Sequence, residues 1–114
     1  MYTIYHNPRC SKSRQTLALL EENNVEISIV EYLKTPLNAS EIKSLLAMLS
    51  LSPLEMMRTK EAEFKEQSLA GADDETLISA MVNTPKLIER PIVVSNNKAV
   101  IGRPPENVLQ LIAK

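Results

Sequence analysis

Tyr2–Leu20, YTIYHNPRCSKSRQTLALL, is the stretch whose reading decides the fold. Tyr2-Thr3-Ile4-Tyr5 is strand-like, and His6-Asn7-Pro8-Arg9 breaks the run. The single cysteine, Cys10, follows and opens a segment with helical spacing. Thr16, Leu17 and Leu20 fall on one face, Asn23-Asn24 stop it, and Ser11, Ser13 or both are the expected N-caps. A cysteine at a strand-to-helix turn meets unpaired backbone N–H groups and the positive end of the helix dipole. Both favour the thiolate, the form that attacks electrophiles. Free cysteine is often buried and inert. Here Arg9, Lys12 and Arg14 flank the thiol, and Pro8-Arg9 is a poor place to hide a side chain, so a reactive sulfur is expected.

Working outward, the chain of 114 residues is 44% hydrophobic and 24% charged, with a net charge of −1. One soluble domain over residues 1–114 is expected, burying about two-thirds of the unfolded surface. No basic or acidic tail is present, so neither nucleic acid nor a membrane surface is expected as a partner. No apolar run approaches the ~20 residues that span a bilayer. Met1-Tyr2-Thr3 leads straight into the first strand, so no signal peptide is expected. One cysteine cannot form an internal disulfide, which points to a reducing cytoplasm. One cysteine with one histidine leaves no zinc-type ligand cluster, and neither a metal nor a bound cofactor is expected.

Val25–Val30 alternates and is rich in branched residues, so it reads as a second strand, parallel to the first across the Cys10 helix. Asn38 then caps a helix bearing Ile42, Leu45, Leu46 and Leu49, with Glu41 completing a capping box. From about residue 38 to 83 the chain reads as a helical insertion. Pro53 opens a short helix through Leu54, Met56 and Met57, with Arg58 at its end. Lys60–Glu66 reads as a solvated helical turn, and Asp73-Asp74 caps a helix with Leu77, Ile78 and Met81. Met48, Met56 and Met57 sit at helical spacing and read as core filler rather than a soft-metal site. Ile92-Val93-Val94 and Lys98–Ile101 form a hairpin around Asn96-Asn97. Gly102-Arg103-Pro104-Pro105 closes it and starts a last helix with Val108, Leu111 and Ile112 inward. A βαβ unit followed by a ββα unit gives a thioredoxin-like α/β fold, a four-stranded mixed sheet flanked by helices. Pro91 then stands at the head of the third strand, where such folds place a cis proline opposite the reactive cysteine.

His6-Asn7-Pro8-Arg9-Cys10, Ser13-Arg14, Arg58, Arg90-Pro91-Ile92-Val93-Val94 and Gly102-Arg103-Pro104, in this order from residue 2 to about 112, resemble the glutaredoxin-coupled arsenate reductases. The resemblance implies that Cys10 is the nucleophile and that Arg58, Arg90 and Arg103 bind the oxyanion, arsenate. It also implies glutathione as co-substrate and glutaredoxin as partner, on a chain expected to be a monomer. Ser11-Lys12 replace the Gly-Thr that follows the cysteine in the familiar reductases, a change that adds positive charge beside the oxyanion.

The residues themselves support such a site. A helix N-terminus contributes about 0.3–1 kcal/mol to a nearby anion, up to ~2 in good geometry. At ~1.36 kcal/mol per unit, that lowers a thiol from ~8.5 by about one unit. An oxyanion beside a thiolate costs up to ~4 kcal/mol at an effective dielectric near 20. Guanidinium groups, permanently charged and shaped for bidentate oxyanion binding, can offset it.

Each residue also has a plainer reading. Arg58 can decorate a helix end. Arg90 and Arg103 can be loop residues, although each precedes a proline that stiffens the backbone aiming it. Arg14 can be solvated. His6 reads equally as a general acid or thiolate stabiliser and as a structural hydrogen-bonder, and Ser13 can donate to the thiolate. Cys10-Ser11-Lys12-Ser13 lacks a second cysteine, so a mixed disulfide must be resolved from outside, with glutathione the natural thiol. A phosphatase loop would need arginine six residues after the cysteine, where Thr16 stands. Two other classes remain open. One is an interaction module like the relatives that bind RNA polymerase and regulate transcription; the other is a monothiol glutathione-dependent thiol-transferase.

Overall fold

A computed structural model describes residues 1–112; the last two positions of the expected 1–114 domain lie outside the described residues. The chain forms two compact units, Met1–Thr35 with Arg90–Lys114, and Pro36–Glu89.

In the first unit the strands β1 (Tyr2–Tyr5), β2 (Ile27–Val30), β3 (Ile92–Ser95) and β4 (Lys98–Ile101) form one mixed sheet in the order β2-β1-β3-β4. β1 runs parallel to β2, with Ile4 opposite Ile29, and antiparallel to β3, with Ile4 opposite Val93. The parallel pair requires a crossover, supplied by helix α1 (Ser11–Glu22). Asn96 and Asn97 both adopt positive φ, 53° and 62°, the conformation that joins β3 to β4 through a two-residue turn. Pro105–Val108 forms a 3-10 turn that continues into a short helix, Leu109–Ile112.

Ile4, Leu20, Val93 and Val108 are fully buried together, each contributing about 1.5–3 kcal/mol by leaving water. Leu17, Val25, Val100, Leu111 and Ile112 are partly buried around them. α1 and the C-terminal helical segment therefore share one face of the sheet. This is the thioredoxin-like α/β arrangement.

Two local expectations change. β2 is shorter than Val25–Val30: Asn24 has φ 56°, Val25 packs on the core, and the ladder starts at Ile27. The N-cap of α1 is Cys10 itself. Ser13 is fully buried, and its hydroxyl turns to the loop before the helix, where a ring nitrogen and a backbone N–H offer nearer partners.

The second unit holds α2 (Ala39–Leu49), α3 (Ala62–Glu66) and α4 (Asp74–Asn83). Asn38 closes the expected capping box: its side chain accepts from the Glu41 N–H at 2.8 Å, and Glu41 accepts from the Asn38 N–H at 3.0 Å. Asp73 caps α4 by accepting from the Thr76 N–H at 2.8 Å. Lys60–Glu66 is not wholly solvated. α3 turns Phe64 inward to 8% exposure, because one aromatic ring outweighs the charges that can stay in water on the other side. Of the three methionines expected as core filler, Met56 and Met57 are buried while Met48 is only half-buried. Met57 and Ile88 form an antiparallel bridge, flanked by hydrogen bonds from Arg58 N–H to Leu87 O and from Glu89 N–H to Met56 O. Among the described residues no helix is long and apolar enough to cross a membrane.

Candidate active site

The loop between β1 and α1 is held by its own polar groups. Asn7 O accepts from the Cys10 N–H at 3.0 Å, and Asn7 Oδ1 accepts from the Arg9 N–H at 3.0 Å, an Asx-type turn. Arg14 Nη1 donates to Pro8 O at 2.9 Å from one turn into the helix. Below the loop, Ser13 Oγ lies 2.6 Å from His6 Nδ1 and accepts from the Asn7 N–H at 3.0 Å. His6 is 5% exposed, and burial pushes its pKa below the ordinary 6.5; nearby Glu31 opposes this and Arg14 adds to it. In the neutral ring with its proton on the other nitrogen, Nδ1 accepts the Ser13 O–H hydrogen bond.

Cys10 is half-buried at the start of α1. Burial pushes its thiol pKa up. The N–H of Ser13, the guanidinium of Arg90 as donor and as charge, and the N–H of Lys12 pull it down and prevail, so it lies below the ordinary 9.0. No formed hydrogen bond caps α1 through the sulfur, since a neutral thiol is a weak acceptor; these donors act fully on the thiolate. No acidic side chain occupies the first turn, so the helix dipole is uncompensated there. Ser13 thus supports the sulfur through its backbone, while its hydroxyl fixes His6 and Asn7.

Arg90 and Arg103 enter from the other end of the chain. The Arg90–Pro91 and Arg103–Pro104 peptides are both cis. Arg103 is exposed, and its Nη1 donates to Arg90 O at 3.4 Å, which ties the second guanidinium to the backbone of the first. Arg90 Nε is buried without a hydrogen-bond partner. Of the expected residues, Cys10, Arg90, Arg103, His6, Ser13, Arg14 and Pro91 belong to the first unit. Arg58 belongs to the second, where Nη1 pairs with Glu61 Oε2 at 3.2 Å.

Gly102 and Thr16, to which the sequence reading gave no part in positioning the site, hold this arrangement. Gly102 N–H donates to Pro91 O at 2.9 Å, and Thr16 Oγ1 donates to Lys12 O at 2.8 Å while lying 3.5 Å from Gly102 O. A Cβ on Gly102 would meet Thr16 Oγ1 at 2.5 Å and Pro91 Cγ at 2.9 Å. Only glycine lets α1, the Pro91 loop and the end of β4 come this close, which fixes both arginines relative to the first turn of α1. Gly102 is one of two glycines in the chain, and that scarcity was the available signal. Among the described residues no group of three His, Cys, Asp or Glu could hold a metal ion.

Comparison with known proteins agrees with this geometry. The arsenate reductase of Neisseria meningitidis is 46% identical over 108 residues, covering 92% of each chain. The uncharacterized protein YfgD of Escherichia coli is 57% identical over 112 residues, 96% of this chain and 94% of that one. The solved structure of an arsenate reductase from Vibrio cholerae superposes with a TM-score of 0.92 at 49% identity, covering 96% of this chain and 95% of that chain. The ArsC family pattern matches residues 5–111. With a cysteine-bearing helix start, the Arg90 and Arg103 corners and a match of that extent, the chain belongs to the ArsC family.

Proposed function

We propose that the protein is a cytoplasmic, monomeric reductase of arsenate to arsenite that draws its electrons from glutathione and glutaredoxin. The observation that carries this reading is the Cys10 sulfur set against the Ser13 and Lys12 N–H groups and the Arg90 guanidinium. It is the environment a thiolate needs if it is to receive a second anion.

In the first step the Cys10 thiolate attacks arsenic; an S–As bond forms, an As–O bond breaks, and the oxygen leaves as water after protonation. Glutathione thiolate then attacks the adduct at sulfur. An S–S bond forms, and the S–As electron pair passes to arsenic, reducing it from the pentavalent to the trivalent state. Arsenite departs, and a glutaredoxin thiolate takes the glutathione sulfur, returning Cys10 as thiolate. Arg90 and Arg103 balance the oxyanion charge during the first attack. The part that resemblance gives to Arg58 is the same.

Arsenate-dependent oxidation of NADPH, coupled through glutathione reductase, glutathione and glutaredoxin, tests the proposal. Turnover with the wild type and none with Cys10→Ser is the expected result; absence of arsenate-dependent turnover in the wild type refutes the substrate.

A further inference from the structure

We propose that the groove beside the Cys10 loop seats the peptide of the reducing thiol, a tripeptide of glutathione type with two carboxylates and one ammonium; this rests on the function proposed above. The groove, about 260 Å³, lies at the carboxyl ends of the parallel strands β1 and β2, the end where open α/β sheets bind ligands. One wall is the segment His6 to Arg9, and the other is formed by Glu31, Leu33 and Lys34. Pro8 and the 44%-exposed Leu33 supply apolar surface for a peptide backbone to lie on.

The charges match such a ligand sign for sign. Arg9 and Lys34 are two exposed cations for two carboxylates, and Glu31 is one carboxylate for the ammonium. Without ligand, Lys34 and Glu31 satisfy each other at 3.4 Å with both side chains in water, a pair that is cheap to exchange for ligand contacts. A free oxyanion is a poor occupant, because Glu31 repels it and neither Arg90 nor Arg103 lines the groove. The volume is just below the roughly 300–1,000 Å³ of pockets that enclose drug-sized ligands, which suits a tripeptide left partly in solvent. Arg9, on one wall, directly precedes Cys10, so the groove borders the loop that carries the nucleophile.

Titration of the ¹⁵N-labelled protein with S-methylglutathione, which cannot exchange disulfides, tests the site without any turnover. Saturable amide shifts confined to residues 6–9 and 31–34 are expected. Lys34→Glu, an exposed change that leaves folding intact, is expected to weaken S-methylglutathione about fivefold. In the coupled assay it should raise the KM for glutathione by the same factor while the KM for arsenate holds. Shifts elsewhere, no saturation, or unchanged affinity in Lys34→Glu would overturn the groove assignment even if arsenate is reduced. Binding in the groove without arsenate turnover would uphold the groove and overturn only the oxyanion substrate.

Discussion

Replacing Gly102 by alanine should destabilise the protein although the backbone there is open to any residue. Gly102 does not need positive φ, so the usual effect of Gly→Ala, about 0.4–1 kcal/mol of stabilisation through a less flexible unfolded chain, is available. Against it stands a new methyl group 2.5 Å from Thr16 Oγ1, 2.9 Å from Pro91 Cγ and 3.1 Å from Thr16 Cγ2. Thr16 is fully buried and its hydroxyl is engaged with Lys12 O, so it cannot swing aside freely. Overpacking of this kind costs about 1–3 kcal/mol, and breaking the hydroxyl contact adds about 0.5–1.5 kcal/mol. The net loss is then about 1–3 kcal/mol, a fall in Tm of roughly 4–12 °C for a chain of this size. Thermal and urea unfolding followed by circular dichroism measure it. In a Thr16→Ala background two of the three close contacts disappear, and the same substitution should cost less than about 1 kcal/mol. A Tm at or above that of the wild type, or an equal cost in both backgrounds, would refute the packing argument.

Arg90→Gln should raise the Cys10 pKa, slowing alkylation by iodoacetamide at pH 6.5, and lower kcat/KM for arsenate roughly 100-fold; an unchanged alkylation profile would count against Arg90 as the partner of the sulfur. Stability should decline as the pH falls below 6.5. Folded His6 has a lowered pKa and resists the proton that the unfolded imidazole takes up, so the loss grows until the folded pKa is passed. Urea midpoints between pH 7 and 5, above the range where carboxylates titrate, should show this slope in the wild type and a flatter one in His6→Asn. A wild-type midpoint that rises on acidification would contradict it.

What could be read directly from the sequence is what depends on near neighbours. Asn38 with Glu41, Asn96-Asn97, the strand before Cys10 and the helix after it are each specified within a few residues, and each appears where expected. The misreadings concern groups whose partners are settled by tertiary structure. Ser13 is an excellent cap by composition, yet its hydroxyl is claimed by His6 and Asn7 once the loop folds back. Phe64 lies among charges in a row that reads as solvated, and only the packing of the second unit draws it in. The contact between Thr16 and Gly102 joins residues 86 apart, so no window along the chain could reveal it. The groove flanked by Glu31 and Lys34 was equally hidden, because it exists only when the β1 and β2 ends lie side by side.

The first unit is assembled from two separate stretches of the chain, with Pro36–Glu89 lying between them in sequence. During synthesis the nucleophile therefore leaves the ribosome early, while Arg90 and Arg103 are still to be translated. Until the final strands dock, the sulfur has only the Ser13 and Lys12 N–H groups of its own helix and lacks the Arg90 guanidinium. Full acidification of the cysteine thus waits on the segment that begins at Arg90, and a fragment that stops short of it keeps a less reactive sulfur.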